Sequence, residues 1–317
     1  MKSIKAFMLV ALLVALPALL VSHAGAQTEP ALDHFKCWTV VEGRPANDFV
    51  LLHDQFNQAG ELEPALVRSP IFFCNPTVKI PSTGVVTPIL HPDNHLKMYL
   101  ITTHPDPTTR TVTFSNQFTA AAGQTLTVFQ PVILAVPTQK DPHAEPHGLN
   151  HFQCYLARGE PINAPVVLQD QFDKQRREAI KVLQPVLFCN PVEKQHDGVI
   201  TPIIPPSTAN DQDHLTCYVF TPSTTKTTGV RTRNQFGEER LLATGSRFLC
   251  VPSQKLRVQT PYGNMASARR PSIVMRPVMT RSAKMSRLNW RTVVAVMWGR
   301  RHWHSATMSI MGFCIGC

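Results

Sequence analysis

Apolar and polar residues alternate in short runs along most of this chain, and no long run keeps a helical period. His34-Phe35-Lys36-Cys37-Trp38 opens one run in which alternate side chains suit a strand with one buried face. Val50 and Leu52 alternate in a second, which ends at Asp54-Gln55-Phe56. A third leads into Phe73-Cys74-Asn75-Pro76 and Lys79. This set of three runs returns three more times, so each unit is expected to fold as about three short strands.

The copies are readable residue by residue. The later openings are His95-Leu96-Lys97-Met98-Tyr99, His151-Phe152-Gln153-Cys154-Tyr155 and His214-Leu215-Thr216-Cys217-Tyr218. The residue before each histidine is Asp33, Asn94, Asn150 or Asp213. The middle run closes at Asn116-Gln117-Phe118, Asp170-Gln171-Phe172 and Asn234-Gln235-Phe236. The third ends at Leu134-Ala135-Val136-Pro137 with Lys140, Phe188-Cys189-Asn190-Pro191 with Lys194, and Leu249-Cys250-Val251-Pro252 with Lys255. Pro131 and Pro185 within third runs predict an edge or a bulge, because proline has no N–H for a ladder.

The connections suggest that units come in pairs. Gly84-Val85-Val86-Thr87-Pro88-Ile89 joins units one and two, and Gly198-Val199-Ile200-Thr201-Pro202-Ile203 joins three and four. Units two and three are joined instead by Asp141-Pro142-His143-Ala144-Glu145-Pro146-His147-Gly148, which reads as a polar, Pro-rich linker. The expected fold is all-β: two tandem, pseudo-symmetric, sandwich- or barrel-like domains of about six short strands each. The first spans 27–140 (units 33–79 and 94–140), the linker 141–148, and the second 149–255 (units 150–194 and 213–255).

Composition changes the picture mainly at the ends. The formal charge is +10, but residues 256–317 hold nine Arg, one Lys and no Asp or Glu. Removing those ten from the 31 basic residues leaves 21 against 21 acidic ones, so the body is neutral and no nucleic-acid surface is expected on it. The tail also holds seven of ten Met and three of four Trp, and reads as a disordered basic extension or a shifted reading frame. Residues 1–26 combine Lys2 and Lys5, an apolar run from Phe7 to Val21, and Ala24-Gly25-Ala26. That pattern predicts a signal peptide cleaved near Ala26, a secreted or periplasmic mature protein, and no later membrane span.

Six cysteines lie in the repeats: Cys37, Cys74, Cys154, Cys189, Cys217 and Cys250. Six cysteines allow 15 pairings. Unit two replaces both of its cysteines, with Met98 and Ala135. Pairing between units would leave their partners stranded; pairing within units strands none. The expected bonds are therefore Cys37–Cys74, Cys154–Cys189 and Cys217–Cys250, each worth ~3–4 kcal/mol by chain entropy. Export permits them.

Candidate chemistry is sparse. The Asx-His pairs at the unit starts could ligate a metal or act as acid and base, but a catalytic site is built once and these recur four times. A turn cap with a packed imidazole is the favoured reading. Asp54 and Asp170 could join a calcium site, yet Asn116 and Asn234 stand at the matching positions, which favours a strand-ending turn. His143, His147 and His151 are candidates for a surface metal site, although Pro142, Pro146 and Gly148 argue against the helix that would align them. No G-x-S-x-G, H-E-x-x-H, Walker or G-x-G-x-x-G motif is present, and no cofactor is implied.

Taken together, the His-Phe-x-Cys-Tyr, Asp-Gln-Phe and Cys-x-Pro-x-x-Lys elements of residues 33–255 resemble a bacterial family of exported, cysteine-containing repeat proteins with a domain of unknown function. That resemblance implies no catalytic residues. The expected function is that of a secreted structural or binding protein with an extracellular or cell-surface partner. A secreted hydrolase or metal-dependent enzyme using the His/Asp groups is the alternative. The two differ in a checkable way: a binding module shows the same surface twice, an enzyme a single cleft with convergent polar groups.

Overall fold

The computed structural model describes residues 32–104, 108–174, 176–204 and 213–259. The expected signal peptide and almost all of the basic tail lie outside the described residues. Thirteen strands, and no helix, make up the described chain. Unit one contributes β1 (Phe35–Val41), β2 (Asp48–Asp54) and β3 (Glu63–Pro81). Unit two contributes β4 (His95–Thr103), β5 (Arg110–Ser115) and β6 (Gln124–Lys140). Unit three contributes β7 (Phe152–Arg158), β8 (Ala164–Asp170) and β9 (Glu178–His196), followed by the short β10 (Val199–Thr201). Unit four contributes β11 (His214–Thr221), β12 (Thr225–Asn234) and β13 (Gly237–Gln259).

The third strand of each unit is not short. It runs 17 to 23 residues and serves two partners in succession. Its first half forms a hairpin with the second strand, and its middle pairs with the first strand of its own unit. Between those parts it bends, with register shifts at Pro70, Pro131 and Pro185. The prolines therefore sit at bulges, where the missing N–H leaves no ladder bond unmade. Gly43 and Gly159 leave room for two of them; a Cβ at Gly43 would lie 2.3 Å from the Pro70 ring.

First and third strands also pair between units. β3 pairs β4, β6 pairs β7, β9 pairs β11, and β13 returns to pair β1. All eight form a closed cycle of antiparallel neighbours with the four units in rotation. The sheet is not a regular barrel, because each second strand leaves the cycle and bridges to the third strand of the unit opposite. β2 pairs β9, β8 pairs β3, β5 pairs β13 and β12 pairs β6.

All thirteen strands belong to one sheet, in which unit one bridges to unit three and unit two to unit four. Residues 141–148 connect two neighbouring units as residues 84–90 do. Asn94 donates to the His147 carbonyl at 3.0 Å and accepts its N–H at 2.9 Å, which fastens that segment to the sheet.

The core follows from the cycle. Its interior holds Phe35, Phe72, Leu96, Phe152, Leu215 and Phe248 with the six cysteines of the repeats, each 1 % exposed or less. The cystines are Cys37–Cys74, Cys154–Cys189 and Cys217–Cys250, as expected, and each joins register partners of a first and a third strand. Met98 and Ala135 are register partners in the fourth place, both fully buried, so thioether and methyl fill the volume a cystine occupies elsewhere. Outside the cycle the hairpin of each unit packs on the ring strands of the next. Val50, Leu52, Ala65 and Val67 of unit one, for example, cover Tyr99 and Leu134 of unit two.

Candidate functional site

First strands start and third strands end at the same end of the cycle. That end therefore gathers the four opening histidines, the four closing lysines and the connectors between units.

Each Asx of the Asx-Gln-Phe element caps its own turn and reaches the opposite unit. Asp54 accepts the Phe56 N–H at 2.7 Å, the Tyr155 hydroxyl at 2.8 Å and Asn190 at 2.9 Å. Asp170 accepts the Phe172 N–H, the Trp38 indole N–H at 2.6 Å and Asn75 at 3.1 Å. Asn116 caps Phe118 and donates to the Tyr218 hydroxyl and to Ser253, both at 3.0 Å. Asn234 caps Phe236 and donates to Tyr99 at 3.1 Å and to Thr138 at 2.9 Å. These are four versions of one diagonal latch, which accounts for the aromatic residue that ends every opening motif. They are not calcium ligands in waiting: Asp54 and Asp170 each spend their oxygens on several N–H and O–H donors.

The Asx before each opening histidine has a different task. Asp33 accepts the N–H groups of Leu90 and His91, both at 2.8 Å. Asn150 accepts the Ile204 N–H at 2.7 Å and donates to its carbonyl at 3.0 Å. Together with Asn94 on His147, three of these residues clamp the connector that leaves their own unit. In the fourth unit Asp213 bonds the ring of its neighbour His214. Neither class of Asx was assigned these partners from sequence; the opposite-unit contacts need the closed cycle.

The histidines are buried, at 2, 0, 8 and 3 % exposure for His34, His95, His151 and His214. Burial, and then the nearby closing lysine, hold all four imidazoles below their ordinary range, His151 at about 4 and His95 at about 2. Asp213 opposes that shift at His214. All four are neutral at pH 7, distributed one to each corner.

The closing lysines stack on phenylalanines of the next unit: Lys79 on Phe118 at 4.7 Å, Lys140 on Phe172 at 5.2 Å and Lys255 on Phe56 at 5.0 Å. Burial pulls Lys79, Lys140, Lys194 and Lys255 from 10.5 down to about 8. Asp170 opposes this at Lys140, and Asp54 at Lys255. At Lys79 and Lys194 burial alone acts. Two further buried lysines bind across the diagonals. Lys36 meets Asp173 at 2.8 Å and also Glu178, and Lys97 meets Glu239 at 2.9 Å. At Lys36 burial lowers the amine's affinity for its proton, but Asp170, Asp173 and Glu178 outweigh it. At Lys97 burial prevails over Glu239.

The linker histidines do not meet. His143 pairs with Asp93 at 2.8 Å, His147 is held by its backbone, and buried His151 bonds Gln235 at 3.1 Å. Among the described residues, the three metal-ligating side chains that do converge are Asp48, His196 and Asp197, whose ligand atoms all lie within 4.8 Å of one another. Sequence reading passed over them, because Asp48 lies far along the chain from the other two. A surface recess of about 440 Å³ between units one, two and three is lined by Phe56, Glu61, Glu63, His104, Arg110 and Tyr155.

The connectors supply the surface that does repeat. Thr87 exchanges both backbone hydrogen bonds with Lys79, at 2.8 and 3.1 Å, and β10 pairs β9 in the same way through Thr201 and Lys194. Each connector is thus tied to the end of the third strand on one side and clamped by Asp33 or Asn150 on the other. Just before the strand tie, Val85 and Val86 are 69 and 52 % exposed, and Val199 and Ile200 are 65 and 57 % exposed.

Residues 95–252 match the family model of a repeat of unknown function (DUF7450). The match runs from the first residue of β4 to within β13, and so takes in unit two, unit three and most of unit four. It begins inside what the sequence suggested was the first domain, in keeping with units that succeed one another around a single cycle. No curated protein and no solved structure matches the chain. Among the described residues no helix is long and apolar enough to cross a membrane.

Proposed function

We propose that the protein is a non-enzymatic binding module acting outside the cytoplasm, and that the connectors at 84–90 and 198–204 are its contact surface. One observation carries this reading: the same apolar pair, Val85-Val86 and Val199-Ile200, is exposed twice at the same end of the fold on segments tied down at both sides. Folding gains nothing from leaving four aliphatic side chains in water, whereas a preformed loop loses little entropy on binding. Aliphatic tips offer no hydrogen bonds, so the partner is an extracytoplasmic protein with an apolar patch, and two contacts on one rigid body add avidity. The three buried cystines, the signal-like residues 1–26 and the resemblance to exported bacterial repeats support the compartment. The Asx groups that an enzyme would need are occupied in clamps and latches, and the opening histidines are buried one to each corner, which supports the binding reading over the hydrolase.

The test is co-sedimentation of the full chain with envelope fractions, wild type against Val85→Ser/Val86→Ser/Val199→Ser/Ile200→Ser. These side chains are exposed, so the melting temperature should hold while binding falls at least tenfold. Equal binding by the two proteins would overturn the reading.

A further inference from the structure

We propose that Asp48, His196 and Asp197 form a binding site for a zinc-type divalent cation. His196 Nε2 lies 2.7 Å from Asp48 Oδ2 and 3.7 Å from Asp197 Oδ2, so one imidazole nitrogen faces two carboxylate oxygens. One nitrogen and two oxygens are a donor set that borderline cations accept, with water completing the shell. Calcium, which takes six to eight oxygens, is disfavoured.

The fold builds this cluster from opposite units. Asp48 begins β2 of unit one, and its other oxygen is fixed by the Phe49 N–H at 2.9 Å. His196 ends β9 of unit three, and the β2–β9 pairing, Leu51 opposite Gln195, sets the distance between them. Asp197 and Gly198, with φ of 49° and 77°, form the two-residue turn into β10. The His196 ring also packs against Phe236 at 5.2 Å, which limits its rotation.

Internal symmetry separates this cluster from the folding apparatus. The same arrangement occurs at four corners, with a one-residue slip after Lys255 in the β5–β13 pair. In place of Asp48 and His196 the others carry Ala164 with Pro81, Thr228 with Pro142, and Arg110 with Val258. Latches and clamps recur around the cycle, but this donor set is built once. A bound cation balances the two carboxylates and ties β2 to the turn that leads into Val199 and Ile200. The 84–90 connector has no such tie. The proposal is independent of what the connectors bind.

The test uses the full chain, stripped with EDTA and treated with N-ethylmaleimide so that Cys314 and Cys317 cannot ligate. Titration calorimetry with Zn²⁺ should show a site that Asp197→Asn and His196→Ala each weaken at least tenfold, and Zn²⁺ should raise the wild-type melting temperature saturably, with Ca²⁺ inert. Asp197 is 82 % exposed, so its variant keeps the fold and isolates the ligand effect. Zinc binding unchanged by both variants, or no saturable binding by the wild type, would overturn the proposal.

Discussion

The two diagonals of the molecule solve one problem with different charges. Between units one and three, Asp54 and Asp170 accept from Tyr155 or Trp38 and from Asn190 or Asn75. Between units two and four, Asn116 and Asn234 donate to Tyr218 or Tyr99 and to Ser253 or Thr138. The geometry is shared and the proton direction is reversed. The carboxylates do a second job: Asp170 faces Lys140 and Asp54 faces Lys255, at the corners of units two and four. At Lys79 and Lys194 no carboxylate offsets the effect of burial. A latch can thus be neutral or charged, but its charge decides which neighbouring lysine is compensated.

The largest expected effect follows from removing a charged latch. Asp170→Ala leaves the Trp38 N–H and Asn75 without their acceptor and Lys140 without a nearby carboxylate, and should lower unfolding stability by about 3–5 kcal/mol. Asn116→Ala, which removes a neutral latch, should lose about 1–3 kcal/mol. Equal losses in urea titrations would break the contrast between the diagonals. Next in size is the missing cystine. Cys154→Ser/Cys189→Ser should lose about 2–5 kcal/mol, while Met98→Cys/Ala135→Cys closes a loop like that of unit one and should gain up to about 3–4 kcal/mol. Non-reducing peptide maps and denaturant midpoints check both.

The pH profile comes next. The closing lysines hold their protons less tightly when folded, at about 8 against 10.5. The unfolded chain therefore binds more protons between those values, and stability rises with pH across that window. Burial raises Tyr99 and Tyr218, so the unfolded chain ionises first above about pH 10 and the rise ends there. On the acid side the depressed histidines remove stability as pH falls below 6.5, toward about 4 for His151 and about 2 for His95. Asp170, raised to about 6 chiefly by burial, works the other way between 6 and 3.8. Melting temperatures should climb from pH 8 to near 10 and fall below 6.5; a profile flat from 8 to 10 would mean that these amines are solvated. The smallest effect sharpens the comparison most. Asn116→Asp puts a carboxylate at the latch beside Phe118 and Lys79. Tyr218 and Ser253 can both donate to it, so stability at pH 7 should change by less than about 1 kcal/mol, while the alkaline rise shrinks.

Much of this was legible in the sequence because repetition multiplies weak signals. The double loss at Met98 and Ala135 gave the cystine pairing, and four Asx-Gln-Phe elements announced four turns. The bridging of opposite units was not legible. Residues 141–148 look like a linker by composition, yet Asn94 fastens His147 as Asp33 fastens Leu90, and single residues of that kind leave no pattern. The Asp48–His196 pair was invisible for a similar reason, being 148 positions apart.

By itself, then, the chain determined its strands, its unit boundaries and its covalent bonds, all of which depend on side chains within one repeat. Only the tertiary structure decided that unit four closes onto unit one, bringing the Cys37 and Cys250 sulfurs within 3.8 Å across 213 positions. Closure pairs strand edges that a row of units would leave open, and backbone edges carry no residue-specific signature. The unit that a strand finds as its neighbour depends on the curvature of the whole sheet, a property no single repeat encodes.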